Sequence, residues 1–239
     1  TIWGGGFVAQ ALAMEHLGPF TFVGIRFLVG ALVVLPFALR DLRLSQASET
    51  AHGHQDYLLI AFLGLLLLAG AACQQIGILT TTVTNAGFLT TLYVPLVPVL
   101  ACIILRQAPH WLIWPASLGC MLGTWLLTGA QGVSINMGDL WVIAGSLFWA
   151  LHVLFVGRVA ARIGRSFLVA AGQFLVCGAA SLLWGLVTEE VSLPAIYAAR
   201  LSIVYAGVLA VGVAFTGQVI GQRYAHAADA AIIMSAEML

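Results

Sequence analysis

The sequence predicts an all-α membrane protein, a polytopic helical bundle of two inverted five-helix repeats, with ten helices expected and about nine present. Three observations carry that expectation. The 239 residues are 62% hydrophobic and 8% charged, against roughly 45–50% and 25% in ordinary soluble domains. Their apolar runs are long and unalternating, unlike the short alternating strands of a membrane barrel. The second observation is internal similarity, which has to be found before a fold is assigned. Trp3 to Gly18 has the same spacing as Trp149 to Gly164, and Arg26-Phe27-Leu28-Val29 recurs as Gln173-Phe174-Leu175-Val176 after a one-residue slip. Gly64 and Gln75 likewise match Gly207 and Gln218. The third is the placement of arginine, the only strongly basic residue in a chain without lysine.

A spanning helix needs about 20 mainly apolar residues. On that rule the spans are Ile2–Ala13, Pro19–Leu39, Tyr57–Leu79, Val83–Leu105, Trp111–Gly129, Gly138–Val156, Ser166–Val187, Ala199–Gly221 and a last one from about His226. Gly, Pro, Asn and charged residues punctuate them. Arg40–Asp56 is the one long polar connection. Its His52 and His54 could touch a metal, but in a solvated loop they read as polar filler, and no metal site is expected. Trp149 lies well inside its helix while Trp3 is nearly the first residue, so the first helix is expected to lack about eight to ten residues of a usual span. The chain is accordingly expected to be a piece of a longer protein, without its tenth helix. The first repeat is placed at 1–132 and the second at 133–239.

Arg40 and Arg43 follow helix two, Arg106 follows helix four, Arg158, Arg162 and Arg165 follow helix six, and Arg223 follows helix eight. The positive-inside rule puts those loops, and the N-terminus, in the cytoplasm. Five helices is an odd number, so the second copy lies upside down. Acidic residues agree: Glu15 follows helix one and Glu189 with Glu190 follows helix seven, where the counterpart loops carry arginine.

These features resemble the EamA-type carriers of the drug/metabolite transporter superfamily. The matching residues are Trp3-Gly4, Pro19 with Arg26-Phe27, Asn85-Ala86-Gly87-Phe88-Leu89-Thr90 before Pro95 and Pro98, and Asp229-Ala230-Ala231 before Ser235-Ala236-Glu237. Arg106-Gln107-Ala108-Pro109 stands where many relatives end helix four with Gly-Glu. The resemblance implies ten helices in two inverted halves, both termini cytoplasmic, and transport of small organic metabolites. It also implies a cavity lined by helices one, three, four, six, eight and nine, with two, five and seven further out.

Polar groups at membrane depth are costly and point to function. Trp3, Phe7 and Gln10 share one helix face at spacings of four and three, and with Tyr93 and Trp149 they suggest an aromatic-lined substrate cavity. His152 lies one turn from Trp149, either in the substrate wall or as a satisfied packing residue. Gln75 and Gln218 occupy matching positions, with Gln222 one turn on; they orient a polar substrate or join helices by hydrogen bonds. Arg26, about 10 Å into its span, could bind a substrate carboxylate with its planar fork or play a structural role on backbone carbonyls or an acid. Glu237, about 15 Å into the last helix, is the candidate coupling residue, because loss of hydration favours its neutral form. The four cysteines lie in apolar runs without metal spacing.

No catalytic elbow, zinc motif or phosphate loop appears, so no cofactor is expected and transport would be driven by gradients. The expectation is a secondary carrier in a bacterial cytoplasmic membrane, exporting amino acids or similar metabolites by alternating access. Its expected partners are a small-molecule substrate and the bilayer, not nucleic acid. An intramembrane lipid-modifying enzyme, with Glu237, His152 and Arg26 converging on a headgroup, is the alternative; a non-transporting sensor or assembly subunit is a third.

Overall fold

Proline, glycine and small polar caps divide the apolar chain into helices. The computed structural model describes residues 2–47, 53–127 and 136–236, and every regular element among them is helical. These are α1 (Ile2–Ala13), α2 (Pro19–Ala47), α3 (His54–Ile78), α4 (Val83–Thr90), α5 (Tyr93–Leu105), α6 (Ile113–Leu127), α7 (Met137–Ile163) and α8 (Ser166–Thr188). Then follow α9 (Leu193–Ala198), α10 (Arg200–Val204), a π-helical segment (Tyr205–Phe215), α11 (Thr216–Gln222) and α12 (Ala227–Ser235). Six stretches are long and apolar enough to cross a membrane: Pro19–Arg43, His54–Ile78, Val83–Leu105, Met137–Ile163, Ser166–Thr188 and Arg200–Gln222.

Local chemistry sets the ends. The Thr82 hydroxyl caps α4 by accepting from the Asn85 amide at 3.1 Å, and Asn136 and Asp139 form a reciprocal capping box at the start of α7, satisfying donors that have no partner within the helix. Gly164 ends α7 with φ +71°, a left-handed conformation glycine adopts without strain. Arg106 ends α5 in the same region, at φ 52° and ψ 34°. A side chain there costs about 1–2 kcal/mol, which explains why glycine suits that position.

Four expectations are corrected. Helix two does not end at Leu39 but continues to Ala47, and helix six does not end at Val156 but continues to Ile163, because the charged residues beyond each expected end are polar without breaking a helix. Helix four is interrupted at Thr91–Leu92; Pro95 has no amide to donate to the Thr91 carbonyl, and its ring crowds that group. Helix eight is π-helical through its middle. The Gly129 end expected for helix five lies outside the described residues.

The centre of the bundle is the pair α2 and α8, which run antiparallel. A Cβ at Gly24 would lie 2.7 Å from the Leu182 backbone, one at Gly178 would lie 2.9 Å from the Leu28 nitrogen, and one at Gly185 would lie 2.9 Å from the Thr21 nitrogen. The helices therefore touch backbone to backbone, the contact that small residues permit in lipid. Each also supplies an acid to the other's first turn. The Glu189 carboxylate accepts from the Phe20 and Thr21 amides at 2.9 and 2.8 Å, and Asp41 accepts from the Leu168 amide at 3.4 Å. Anionic acceptors suit the positive end of a helix dipole. Rings close the seam: Phe27 on Phe174 at 6.0 Å, Phe37 on Phe167 at 5.2 Å and Phe20 on Trp184 at 6.3 Å.

α3 packs antiparallel on α7, with Gly77 against Gly138 at one end and an Arg162–Asp56 ion pair at 3.0 Å at the other. Large apolar side chains such as Trp111, Trp184, Val187 and Leu193 stay exposed on the outside, where a bilayer would solvate them.

Candidate functional site

Helices from both halves surround a central cavity of about 70 Å³. α1 supplies Trp3, Gly6, Phe7 and Gln10; α2 supplies Arg26; α3 supplies Gln74; Thr90 and Tyr93 come from the two sides of the break in helix four. Trp149 and Val153 come from α7, Ala210, Val211 and Phe215 from the π-helical segment, Gln218 from α11 and Met234 from α12.

Phe215 joins the aromatic walls. Its ring lies 5.2 Å from that of Trp3 and stacks on Trp149 at 5.6 Å and 20°. Phe27 and Phe174 back it at 6.0 and 6.4 Å. Three amides border this apolar wall. Gln74 Nε2 donates to Thr90 Oγ1 at 2.9 Å, and Thr90 donates on to the Ala86 carbonyl at 2.7 Å. Gln218 Nε2 donates to Gln222 Oε1 at 2.8 Å, while Gln222 Nε2 donates to the Val153 carbonyl at 3.0 Å. The indole nitrogens of Trp3 and Trp149, Nε of Arg26 and Oε1 of Gln10 are buried without a protein partner. The guanidinium of Arg26 lies 5.4 and 5.3 Å from the ring centres of Phe22 and Phe27.

Of the residues named from sequence, Trp3, Phe7, Gln10, Arg26, Tyr93, Trp149 and Gln218 border this one cavity. Gln75 and His152 do not. Gln75 is fully buried and donates to the Gln10 carbonyl at 3.4 Å, so it joins α3 to α1. His152 is fully buried against Gln173, Nε2 to Oε1 at 2.9 Å, which ties α7 to α8. Arg26 also corrects the expectation that helix two lies wholly outside the cavity. Glu237 lies outside the described residues.

Gln74, Thr90, Val153 and Phe215 are cavity residues that sequence reasoning missed. Gln74 was available as the neighbour of Gln75. Phe215 had no polar signal to distinguish it from packing.

A second, wider cavity of about 890 Å³ opens among the ends of α5, α7, α11 and α12 that carry Arg158 and Arg223. Arg158, Arg223, His110, His226 and Asp229 border it, and Val153 belongs to both cavities. Arg158 donates to Gln107 Oε1 and Arg223 to the Gly164 carbonyl.

Helices of membrane-spanning length around a polar and aromatic cavity define a polytopic membrane architecture. The model of the EamA-like transporter family matches residues 1–129 and again 136–239, and the chain belongs to that family. It is an integral membrane protein. An uncharacterized transporter of Archaeoglobus fulgidus is 26% identical over 157 residues, covering 66% of this chain and 46% of the relative. The chain thus spans about half the length of that curated relative. A solved crystal structure, described only as that of a protein, aligns over 98% of this chain and 82% of its own, with a TM-score of 0.71 at 19% identity. That likeness is one of fold.

Proposed function

We propose that the chain forms the translocation unit of a gradient-driven carrier that exports small organic metabolites, amino acids or similar compounds. The observation that carries this is an aromatic cavity lined from both halves, with the sequence-matched Trp3 and Trp149 both in contact with Phe215. In the mechanism, two inverted repeats, 1–132 and 133–239, rock about the cavity and expose it to each side in turn.

The α2–α8 seam supports the inversion. The one-residue slip pairs Phe20 with Phe167, Phe27 with Phe174 and Phe37 with Trp184. Under that pairing, the contact of Phe20 with Trp184 exchanges with that of Phe37 with Phe167, while Phe27 meets its own counterpart. Equivalent helices lying antiparallel with exchanged contacts are what a two-fold axis in the membrane plane produces. The arginine-rich ends face the cytoplasm in this account, in a cytoplasmic membrane, and the wide cavity there is the inward vestibule. The Asp56–Arg162 pair and the Asp41 cap belong to that side, the Glu189 cap to the other.

Counterflow tests the proposal. The complete protein in liposomes preloaded with one unlabelled metabolite should accumulate the same labelled metabolite transiently, and protein-free liposomes should not. Absence of counterflow across a panel of amino acids and organic acids would remove the carrier mechanism.

A further inference from the structure

We propose that Arg26 makes the central cavity selective for small organic carboxylates with an apolar body, the carboxylate docking on the guanidinium. This rests on the carrier reading of the same cavity and narrows its substrate.

Arg26 is 5% exposed and borders the cavity. Among the described residues no carboxylate pairs with it, and its Nε has no partner. A guanidinium cannot shed its proton in a protein, so the charge is held in a mainly apolar wall and desolvated at a cost. Phe22 and Phe27 offset part of that cost through their ring faces. Ring contacts leave the N–H groups, which point outward in the guanidinium plane, able to bind an anion.

The two indoles of the cavity add donors of the same sign. The indole N–H groups of Trp3 and Trp149 can only donate, and both are buried without a partner. Beside these donors and Arg26 stand three cavity amide oxygens, of Gln10, Gln74 and Gln218, to which no group among the described residues donates. The amide oxygens are neutral and Arg26 carries the one fixed charge among the lining residues, so the charged part of a complementary ligand is negative, with the indole N–H groups as further donors to it. Trp3, Trp149 and Phe215 supply the surface for its apolar part. The vestibule has matching polarity: Arg158, Arg223, His110 and His226 border it against Asp229. Both arginines hydrogen-bond to neutral oxygens, so they keep their charge, and an anion meets attraction before it reaches Arg26.

Three probes with one carbon skeleton test this: 3-phenylpropanoate, its primary amide and 3-phenylpropylamine. Binding to the complete purified protein is read from intrinsic tryptophan fluorescence, and counterflow is run with each probe in liposomes. The carboxylate should bind about tenfold or more tighter than the amide, as hydrogen bonds to a charged group imply, and the amine should be weakest. Arg26→Gln should bring carboxylate and amide to within about threefold, and Arg26→Lys should restore part of the preference by keeping the charge without the fork. If Arg26→Gln does not fold, the loss of part of the preference in Arg26→Lys carries the test.

An amide or amine bound as tightly as the carboxylate would overturn the proposal, as would absence of carboxylate binding. So would an undiminished preference in a folded Arg26→Gln protein, or in Arg26→Lys where Arg26→Gln does not fold. Counterflow separates the two claims. Exchange of probes without carboxylate preference removes the selectivity alone; Arg26-dependent carboxylate binding without exchange of any probe removes the carrier function alone.

Discussion

Gly24→Ala is expected to lower the stability of the folded protein by about 1–3 kcal/mol, while Gly119→Ala changes it by no more than about 0.5 kcal/mol or raises it. Both substitutions add one methyl group within a helix, where alanine has the better intrinsic propensity by about 1 kcal/mol. The difference is in what the methyl meets. At Gly24 it lies 2.7 Å from N, Cα and Cβ of Leu182, whereas at Gly119 nothing lies within 4 Å. Backbone atoms cannot turn aside as a flexible side chain does, so α2 and α8 must separate. That also lengthens the Glu189 and Asp41 caps and loosens the Phe27–Phe174 contact. Thermal unfolding of the two variants in the same detergent measures the contrast. An equal response would mean that the α2–α8 seam tolerates separation.

Trp149→Ala is expected to raise the KM for exchanged substrate about tenfold or more and to cost about 3 kcal/mol of stability. Its indole stacks on Phe215, and a Cβ at Gly70 would lie 3.2 Å from it. Removing it opens the cavity wall toward α3 and frees Phe215. Trp149→Phe keeps a ring against Phe215 and should recover much of the loss. Counterflow at varied substrate concentration with both variants checks the order. Equal KM values for wild type, Trp149→Phe and Trp149→Ala would make Trp149 a packing residue.

What could be read from the sequence depended on how a signal survives helix geometry. Trp3, Phe7 and Gln10 lie on one face of an uninterrupted helix, and their spacing placed them together on the cavity wall. Gln75 failed by one position. A single residue turns a helix by about 100°, so its neighbour Gln74 faces the cavity and Gln75 the α1 backbone. Matching Gln75 to Gln218 assumed continuous α-helix between Gly207 and Gln218. The π-helical segment Tyr205–Phe215 contains Gly207 and runs toward Gln218, and its wider turns shift the phase so that Gln218 faces the cavity. Nothing in Tyr-Ala-Gly-Val-Leu-Ala-Val-Gly-Val-Ala-Phe marks a π-helix. His152 lies three residues from Trp149, short of a full turn, and that offset puts it against Gln173. Pro95 and Pro98 made the interruption of helix four legible in principle, but not its position at Thr91–Leu92. The end of α2 at Ala47 was missed because hydropathy marks where a membrane would end, not where a helix does.

Access to the cavity from both sides of the membrane is the central claim, and Ala210 is the place to measure it. It borders the cavity and is small and buried, so Ala210→Cys disturbs the wall little. In a background with Cys73, Cys102, Cys120 and Cys177, all free thiols, replaced by serine or alanine, a membrane-impermeant thiol reagent is applied to the complete protein in oriented vesicles. A carrier that alternates predicts labelling of Ala210→Cys from either face, in separate vesicles of opposite orientation. Labelling from one face alone, or only by a lipid-soluble reagent, would contradict it.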